Sequence, residues 1–515
     1  MGILSTLEPA QVFQYFEEIC HIPHGSGNTK AISDYCVDFA KRQGLRYQQD
    51  AAGNVIIWKD GSTGYEQSAP VMLQGHLDMV CEKEADCEVD FSRDGLELQL
   101  KDGVISAKGT TLGGDDGIAV AYALAILASD TIAHPPLEVV LTVDEEIGML
   151  GAAVFDASPL QSRIMLNLDS EEEGYLLVSC AGGITTTAHL PIHRETAEGQ
   201  NITLTVSGLQ GGHSGVEIDK GRGNACQLLG RALYHLQNDF AFRLCSVQGG
   251  LKDNAIPREA AAELVLTGWQ QKQRSETERH GNLEEQRSDA GTQFSGNQGE
   301  QLLDAFRKKT AEIMQIYQQE YRLTDPGICL MAACSEDAVR DDAIDGNGTT
   351  KIITMLYCLP GGIQKMSFAI EGLVQTSLNL GILKTEVEEV TASYSIRSSV
   401  ETEKLDLVAK IRCLMEDLGG HITNQGEYPA WEYRQDSPLR DLMVEVFREQ
   451  YGREPEVQAM HAGVECGLFA GKLPGLDCVS YGPDMHDIHT PEESVDVESV
   501  KRVWLYTLEI LKRLG

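Results

Sequence analysis

The sequence is short of basic residues. Its 515 residues include 42 Lys and Arg against 78 Asp and Glu, which gives a formal net charge of −36. Proteins that bind a phosphate backbone do so through clusters of Lys and Arg. The shortage therefore argues against a nucleic-acid partner, and the function must be sought in other chemistry.

Long apolar runs and paired cysteines are also missing. No stretch approaches the roughly 18 apolar residues that a membrane-spanning helix needs. Residues 1–11 have neither the basic region nor the apolar core of a secretory signal. The 13 cysteines form no CxxC pair, which is typical of reduced, mostly buried thiols. We therefore expect a cytoplasmic protein without a membrane partner.

The chain is longer than one compact core usually holds, so we expect at least two domains. Apolar runs at 71–73, 139–143 and 164–168 are bounded by turns and separated by helical patterns. This alternation predicts an α/β domain whose mostly parallel mixed sheet is flanked by helices. The middle of the chain mixes strands and helices in another pattern, which predicts an inserted α+β domain.

The simplest partition assigns 1–186 and 399–515 to a catalytic domain and 187–398 to an inserted lid domain. Residues 270–299 of this lid are polar and low in complexity, and they cannot bury enough apolar surface to fold alone. We expect them to form a surface insertion without a catalytic role. The lid could also carry a dimer interface, so the sequence leaves a homodimer open.

Acidic residues and histidines follow the three predicted strands. His76 and Asp78 come after the first strand, Glu145 and Glu146 after the second, and Asp169 after the third. Ligands of open parallel sheets gather at the carboxyl ends of the strands, so we expect these side chains to lie close together. Further candidates for the same site are Asp115, Asp116 and His489.

Imidazole and carboxylate groups suit divalent cations, with Zn²⁺ as the first expectation and Mn²⁺ or Co²⁺ as alternatives. Either Asp115 or Asp116 could bridge two cations, and the other could cap a helix. Glu145 and Glu146 would point to opposite sides of extended backbone, which favours one ligand and one free general base. Each group alone also fits an ordinary strand end, cap or loop; together and in this order they favour a two-metal site.

Five segments of the sequence resemble a known family. They are residues 74–80 (QGHLDMV), 109–117 (GTTLGGDDG), 145–152 (EEIGMLGA), 208–215 (GLQGGHSG) and 461–468 (HAGVECGL). The chain resembles the M20 metallopeptidases nearly end to end, with the main break at 270–299. Within them it is similar to the aminoacyl-histidine dipeptidase subfamily, also called Xaa-His dipeptidase, peptidase D or carnosinase. The second and fifth segments are specific to that subfamily.

The resemblance implies a role for each matching residue of the two-metal site. Glu145 would be the general base, and Asp78 would hold the imidazole of a metal-binding histidine. The peptide bond between Asp115 and Asp116 would be cis. One ion would be bound by His76 and Asp169, the other by Glu146 and His489, and Asp115 would bridge them.

The resemblance also implies residues that contact a peptide substrate. His213 would polarise the scissile carbonyl group, from its own chain or from a neighbouring one. Arg397 would clamp the substrate carboxylate, because a guanidinium group pairs with it through two hydrogen bonds. Asn254 would assist on the lid side. Gly463 would line the substrate pocket, and Glu465 would contact the substrate amine.

We therefore expect a dinuclear-metal dipeptidase that hydrolyses short dipeptides, Xaa-His peptides such as carnosine among them. The first alternative is another M20-type activity, on dipeptides and tripeptides broadly or on N-acyl amino acids. Two further alternatives are an inactive binding protein and a metal-independent hydrolase with Cys180 or Cys466 as a thiol nucleophile.

Overall fold

A computed structural model describes residues 2–270, 296–335 and 339–515. The chain folds into two compact units, which comprise Met1–Ala181 with Tyr428–Gly515 and Gly182–Glu427. The predicted end of the inserted domain, residue 398, differs from this division. Residues 399–427 belong to the second unit because their helix packs on two strands of that unit's sheet. Most of the predicted insertion at 270–299 lies outside the described residues.

The first segment of the first unit contains four helices and eight strands. The helices are α1 (Ala10–Cys20), α2 (Lys30–Gln43), α3 (Gly114–Ala128) and α4 (Leu150–Val154). The strands are β1 (Arg46–Gln49), β2 (Val55–Lys59), β3 (Val71–His76), β4 (Leu98–Lys101), β5 (Val104–Ala107), β6 (Leu137–Thr142), β7 (Ile164–Asn167) and β8 (Tyr175–Cys180).

Over its described residues, the second unit combines a large sheet with four α-helices. Its helices are α5 (Ala225–Gln237), α6 (Gly296–Glu320), α7 (Gly346–Cys358) and α8 (Glu401–Asp417). Its strands are β9 (Gly182–Pro191), β10 (Arg194–Glu198), β11 (Gln200–Ser207), β12 (Gly212–His213), β13 (Phe240–Gly249), β14 (Ala255–Ile256), β15 (Ala260–Trp269), β16 (Cys329–Cys334), β17 (Val339–Ile344), β18 (Gly362–Met366), β19 (Val374–Thr385), β20 (Glu389–Ser398) and β21 (His421–Tyr428).

The chain then returns to the first unit. The remaining strands are β22 (Glu456–Met460), β23 (Asp477–Ser480), β24 (Met485–His486) and β25 (Ser494–Asp496). The remaining helices are α9 (Pro438–Tyr451), α10 (Glu465–Lys472) and α11 (Val497–Arg513). In the part of the chain that is described, none of the helices has both the length and the apolar character needed to cross a bilayer.

The main sheet of the first unit has a parallel centre. Its strand order is β1-β2-β6-β3-β7-β23-β8-β22, and β6, β3, β7 and β23 run parallel to one another. Every residue of β3 and β6 is buried, as their continuous apolar runs predict. Helix α3 is buried along nearly its whole length and packs against β3 and α1. The predicted mixed α/β class is confirmed by this arrangement.

The second unit is built on an antiparallel sheet of nine strands. The order is β16-β11-β15-β13-β19-β20-β9-β21, with β18 paired to β19. Helix α5 packs on four of its strands, and α8 packs on β9 and β20. The apolar residues of these elements form one continuous core. Strands β12 and β14 form a separate short pair that carries His213.

Candidate metal centre

The four parallel strands of the first unit end at one edge of the sheet. His76 is the last residue of β3, Glu145 and Glu146 follow β6, and Asp169 follows β7 by two residues. His489 lies beyond β23, in the loop between β24 and β25. Neighbouring parallel strands present their carboxyl ends side by side, which is where ligands bind in such sheets. The topology therefore gathers side chains from distant parts of the sequence.

Asp115 lies between two imidazole rings. Its Oδ1 atom is 3.1 Å from His76 Nε2, and its Oδ2 atom is 3.3 Å from His489 Nε2. The residue opens helix α3, and the peptide bond that joins it to Asp116 is cis, as the family resemblance implies. A carboxylate that presents one oxygen to each of two imidazoles has the arrangement expected of a bridging ligand.

The remaining predicted ligands divide between the two imidazoles. Asp169 Oδ1 lies 3.7 Å from His76 Nε2, and Glu146 Oε1 lies 3.1 Å from His489 Nε2. Two imidazoles and three carboxylates form a donor set that suits Zn²⁺, Mn²⁺ or Co²⁺. Three overlapping groups of donor atoms here are compact enough to hold an ion, and they also include Asp116 and Glu145. The residues present thus fit a pair of divalent cations.

The surrounding carboxylates change how the two imidazoles bind protons. Contacts with Asp115 and Glu146 raise the pKa of His489 to about 10. Burial by itself lowers the pKa of His76, but the nearby carboxylates of Asp115, Asp169 and Asp78 raise it well above its usual value. In the absence of a metal ion the rings therefore carry protons, and a bound cation would displace those protons.

The carboxyl groups of the centre differ from one another in acidity. Burial raises the pKa of Glu145 above its usual range; Asp169 adds to this effect and His76 opposes it. Burial also raises the pKa of Asp169 to about 6. Asp115 is buried too, but the two imidazoles lower its pKa below the usual range. Among Asp115, Glu145 and Asp169, Glu145 is thus the group best prepared to hold a proton.

Asp78 organises more of the centre than the sequence indicates. Its backbone carbonyl oxygen lies 3.0 Å from His76 Nδ1, the ring nitrogen that faces away from Asp115, and its Oδ1 atom lies 3.5 Å from the same nitrogen. The backbone N–H groups of Glu145 and Glu146 donate to its two carboxylate oxygens, at 2.9 and 3.3 Å. One buried residue therefore orients both a candidate ligand and the candidate base.

Glu145 and Glu146 were expected to continue strand β6 in extended backbone. The structure differs from this expectation. The strand ends at Thr142, and Asp144 has a φ of 56°, so the chain turns before Glu145. The division between one ligand and one base therefore depends on this turn and on Asp78. It does not depend on the alternation of side chains along a strand.

Glu465 lies deeper than predicted. The residue has no exposed surface, and its Oε2 atom accepts hydrogen bonds from Gln74 Nε2 at 2.5 Å and Thr142 Oγ1 at 2.6 Å. The carboxylate is thus held by two buried side chains of the first unit, and its contact with a substrate amine stays a prediction. Gly463 is half-buried, and a Cβ atom there would lie 2.6 Å from the Tyr428 ring.

In the second unit, hydrogen bonds determine which ring nitrogen of His213 carries the proton. The backbone N–H groups of Gly215 and Val216 both donate to its Nδ1 atom, at 3.2 Å. Burial and the charge of Arg397 lower the pKa of the ring. The imidazole is therefore neutral near pH 7, with its proton on Nε2, and it can donate that proton to an acceptor.

Other contacts in the second unit hold the His213 loop in place. Strand β12, which ends at His213, pairs with β14, and the N–H of Ser214 donates to the carbonyl of Asn254 at 2.8 Å. Glu217 accepts the backbone N–H of His213 at 2.8 Å. The structure thus brings His213 and Asn254 together, and it places Arg397 on β20 with little exposed surface.

Comparison with protein families matches residues 72–513 to peptidase family M20/M25/M40. The chain belongs to this family. Among curated M20 relatives, the cytosol non-specific dipeptidase of Escherichia coli (strain K12) is 35% identical over 518 aligned residues. That alignment covers 100% of this chain and 99% of the relative. The predicted family and enzyme class are therefore confirmed: this is a peptidase.

Two solved structures are similar to this chain. The aminoacylhistidine dipeptidase from Vibrio alginolyticus is 35% identical, with a TM-score of 0.87 over 100% of this chain and 98% of that one. An aminopeptidase from Bacillus cereus shares the fold with a TM-score of 0.53, at 14% identity and with 99% of both chains covered. The latter similarity concerns the fold alone.

Two residues that hold predicted site residues in place were not among the predictions from the sequence. Ser26 Oγ donates to Asp78 Oδ2 at 2.8 Å, and Glu217 holds the backbone of His213. Ser26 lies between two glycines in a loop far from Asp78 in sequence. Glu217 follows His213 by four residues, and this short separation was the one available signal.

Proposed function

We propose that this M20 peptidase is a dipeptidase that depends on two divalent metal ions. The observation that carries the proposal is the position of Asp115, whose two oxygens face the imidazoles of His76 and His489. The residues that would hold the ions are His76 and Asp169 for one, Glu146 and His489 for the other, and Asp115 for both.

When bound, the two ions supply Lewis acidity and lower the pKa of a water molecule toward about 7. Zn²⁺ is the first choice for this donor set, and Mn²⁺ or Co²⁺ would also suit it. The site is chelatable, so EDTA should abolish the activity and added metal should restore it.

Glu145 takes the proton of the attacking water and later delivers it to the amine of the leaving amino acid. Its buried carboxyl group has a raised pKa, which suits a group that must hold a proton between two steps. Asp78 keeps this base in place through the backbone of Glu145, and it also holds the ring of His76.

His213 and Arg397 are proposed to recognise the substrate. The proton on His213 Nε2 is donated to the carbonyl oxygen as that oxygen gains negative charge. Arg397 pairs with the free carboxylate of the peptide, which favours short substrates over longer chains. Asn254 and Gly463 are also proposed to contact the bound peptide.

The relatives differ in the substrate range that their names state, since one is called non-specific and the other an aminoacylhistidine dipeptidase. We propose hydrolysis of short dipeptides, with Xaa-His peptides such as carnosine among them. The alternative is another M20-type activity, on tripeptides or N-acyl amino acids. The name of the Escherichia coli relative also supports a cytoplasmic location. A homodimer stays a prediction for light scattering to test.

A substrate panel tests this proposal. The metal-loaded protein is assayed on β-Ala-His, Gly-His, Gly-Leu, Gly-Gly-His and N-acetyl-His, each with an EDTA control. We expect hydrolysis of the dipeptides, little cleavage of the tripeptide, and none of the blocked amino acid. Preference for N-acetyl-His or the tripeptide would favour the alternative activity. Equal rates with and without EDTA would contradict the metal dependence.

A further inference from the structure

A buried glutamate joins two loops of the candidate metal centre. Glu493 is 3% exposed, and its carboxylate accepts three backbone N–H groups. Leu112 and Gly113 donate to Oε2 at 2.8 and 3.2 Å, and Gly114 donates to Oε1 at 2.8 Å. These three residues immediately precede Asp115. Glu493 itself follows His489 by four residues.

The position of Glu493 in the chain gives these contacts their significance. Asp115 and His489 are 374 residues apart, and their side chains meet at 3.3 Å. Hydrogen bonds within helix α3 hold the chain after Asp115. They do not extend to the backbone N–H groups of the loop residues before Asp115. The carboxylate of Glu493 satisfies three successive N–H groups of that loop, which would otherwise be buried without partners.

The segment around Glu493 is itself well anchored. Its backbone N–H donates to the carbonyl of Thr490 at 3.1 Å, and strand β25 begins at the next residue and pairs with β5. Val495 approaches the loop so closely that a Cβ atom on Gly114 would lie 2.5 Å from its side chain. A shift of either loop would therefore be transmitted to the other.

We propose that Glu493 is a positioning residue, which holds the Asp115 loop and the His489 loop at the spacing that a shared pair of cations requires. Its carboxylate does not contact the proposed ligands' donor atoms, so it acts through the backbone. The inference rests on the proposed two-metal function. It adds a residue outside the ligand set on which metal affinity depends.

The test compares Glu493→Gln with Glu492→Gln in the full-length protein. Glutamine keeps the shape of the side chain but turns one acceptor oxygen into an NH₂ group that faces a backbone N–H. Glu492 is the adjacent, exposed glutamate and serves as the matched control. Zn²⁺ and Co²⁺ affinities are measured by competition with a chromophoric chelator, and unfolding of the metal-free proteins is followed separately.

We expect Glu493→Gln to bind the metal ions about 10- to 100-fold more weakly, as for other groups that orient ligands. Its kcat on β-Ala-His should fall while KM stays near the parent value, because Glu493 is not a proposed substrate contact. Glu492→Gln should match the parent in metal affinity, kcat and KM. If Glu493→Gln does not accumulate as folded protein, Glu493→Asp, with its shorter reach, should show the same loss of metal affinity.

Parent-like affinity for two ions in Glu493→Gln, or in Glu493→Asp where that is used, would overturn the proposal, even if the variant unfolds at a lower temperature. The carboxylate would then stabilise the fold alone. Failure of the proposed function gives a different result. A parent protein that binds two ions but hydrolyses no dipeptide leaves the affinity comparison intact, whereas a parent that binds no ion refutes both proposals.

Discussion

At the scale of single residues, Asp78 and Asp115 show what a carboxylate can do when it is buried among polar partners. Asp115 shares its two oxygens between two imidazoles, and Asp78 shares its own between a ring and two backbone amides. The residue types and their order predicted the first arrangement through the family resemblance. The second depends on a turn at Asp144 that no local sequence pattern indicates.

The role of Glu145 can be tested by removing its carboxylate. General acid–base catalysis contributes about 10²- to 10⁴-fold to rate, so Glu145→Ala should reduce kcat on dipeptides by that factor. The five proposed ligands are untouched, and the variant should still bind two metal ions. Steady-state kinetics and metal analysis by mass spectrometry check both expectations. A variant with parent-like kcat would refute the base assignment, and one without metal would make Glu145 a ligand.

At the scale of secondary-structure elements, strand β3 and helix α3 approach each other closely at Gly75. A Cβ atom on Gly75 would lie 2.9 Å from Ala119 Cβ and 2.5 Å from Asp116 Oδ2. A glycine at this position lets helix α3, whose first turn contains Asp115, lie directly against the strand that ends at His76. The distance between these two proposed ligands therefore depends on the absence of a side chain at residue 75.

Gly75→Ala should push α3 away from β3. Overpacking of this kind costs about 1–3 kcal/mol, and we expect the free energy of unfolding of the metal-free protein to fall by that amount. The affinity for metal should fall with it, because His76 and Asp115 move apart. Urea denaturation and chelator competition measure the two effects. Unchanged stability and metal affinity would show that the contact between β3 and α3 accommodates the extra methyl group, and would contradict this expectation.

Elements with strong periodic or continuous apolar patterns could be predicted from the sequence. Strands β6 and β7 lie within one or two residues of their predicted bounds. Strand β3 extends three residues beyond its predicted end, through Gly75 to His76, because pairing with β6 continues there.

At the scale of the whole molecule, the sequence predicted one unit made from both chain ends and a second unit inserted between them. It did not predict the residue at which the inserted unit ends. Helix α8 carries polar residues along much of its length, so its pattern does not show which sheet it covers. Its contacts with β9 and β20 decide the question. The burial of Glu465 was likewise not predicted. It depends on hydrogen bonds from Gln74 and Thr142, which lie in two strands far from Glu465 in the sequence.

The stability of the metal-free protein should depend on pH. Asp115 and Glu146 raise the pKa of His489 from 6.5 to about 10 in the folded state. A raised histidine pKa contributes stability that is fully present below pH 6.5 and is lost as the pH rises through about 10. The raised pKa of Glu145 acts in the same direction, because the folded state favours its neutral form.

Thermal unfolding of the metal-free protein should therefore show a Tm that falls between pH 6.5 and 10. His489→Gln should make this fall shallower, because the glutamine has no proton to lose. Saturating Zn²⁺ should raise Tm, since a ligand that binds only the folded state stabilises it. A Tm that is constant or rises across this range in the metal-free protein would contradict the pairing of His489 with the two carboxylates.

The most direct measurement of the central claim is anomalous diffraction from crystals of the metal-loaded protein. The account predicts two peaks per chain, both within coordination distance of Asp115, one beside His76 and Asp169 and the other beside His489 and Glu146. Glu145 should have no direct bond to either ion. A single peak, or two peaks of which one does not touch Asp115, would contradict the account.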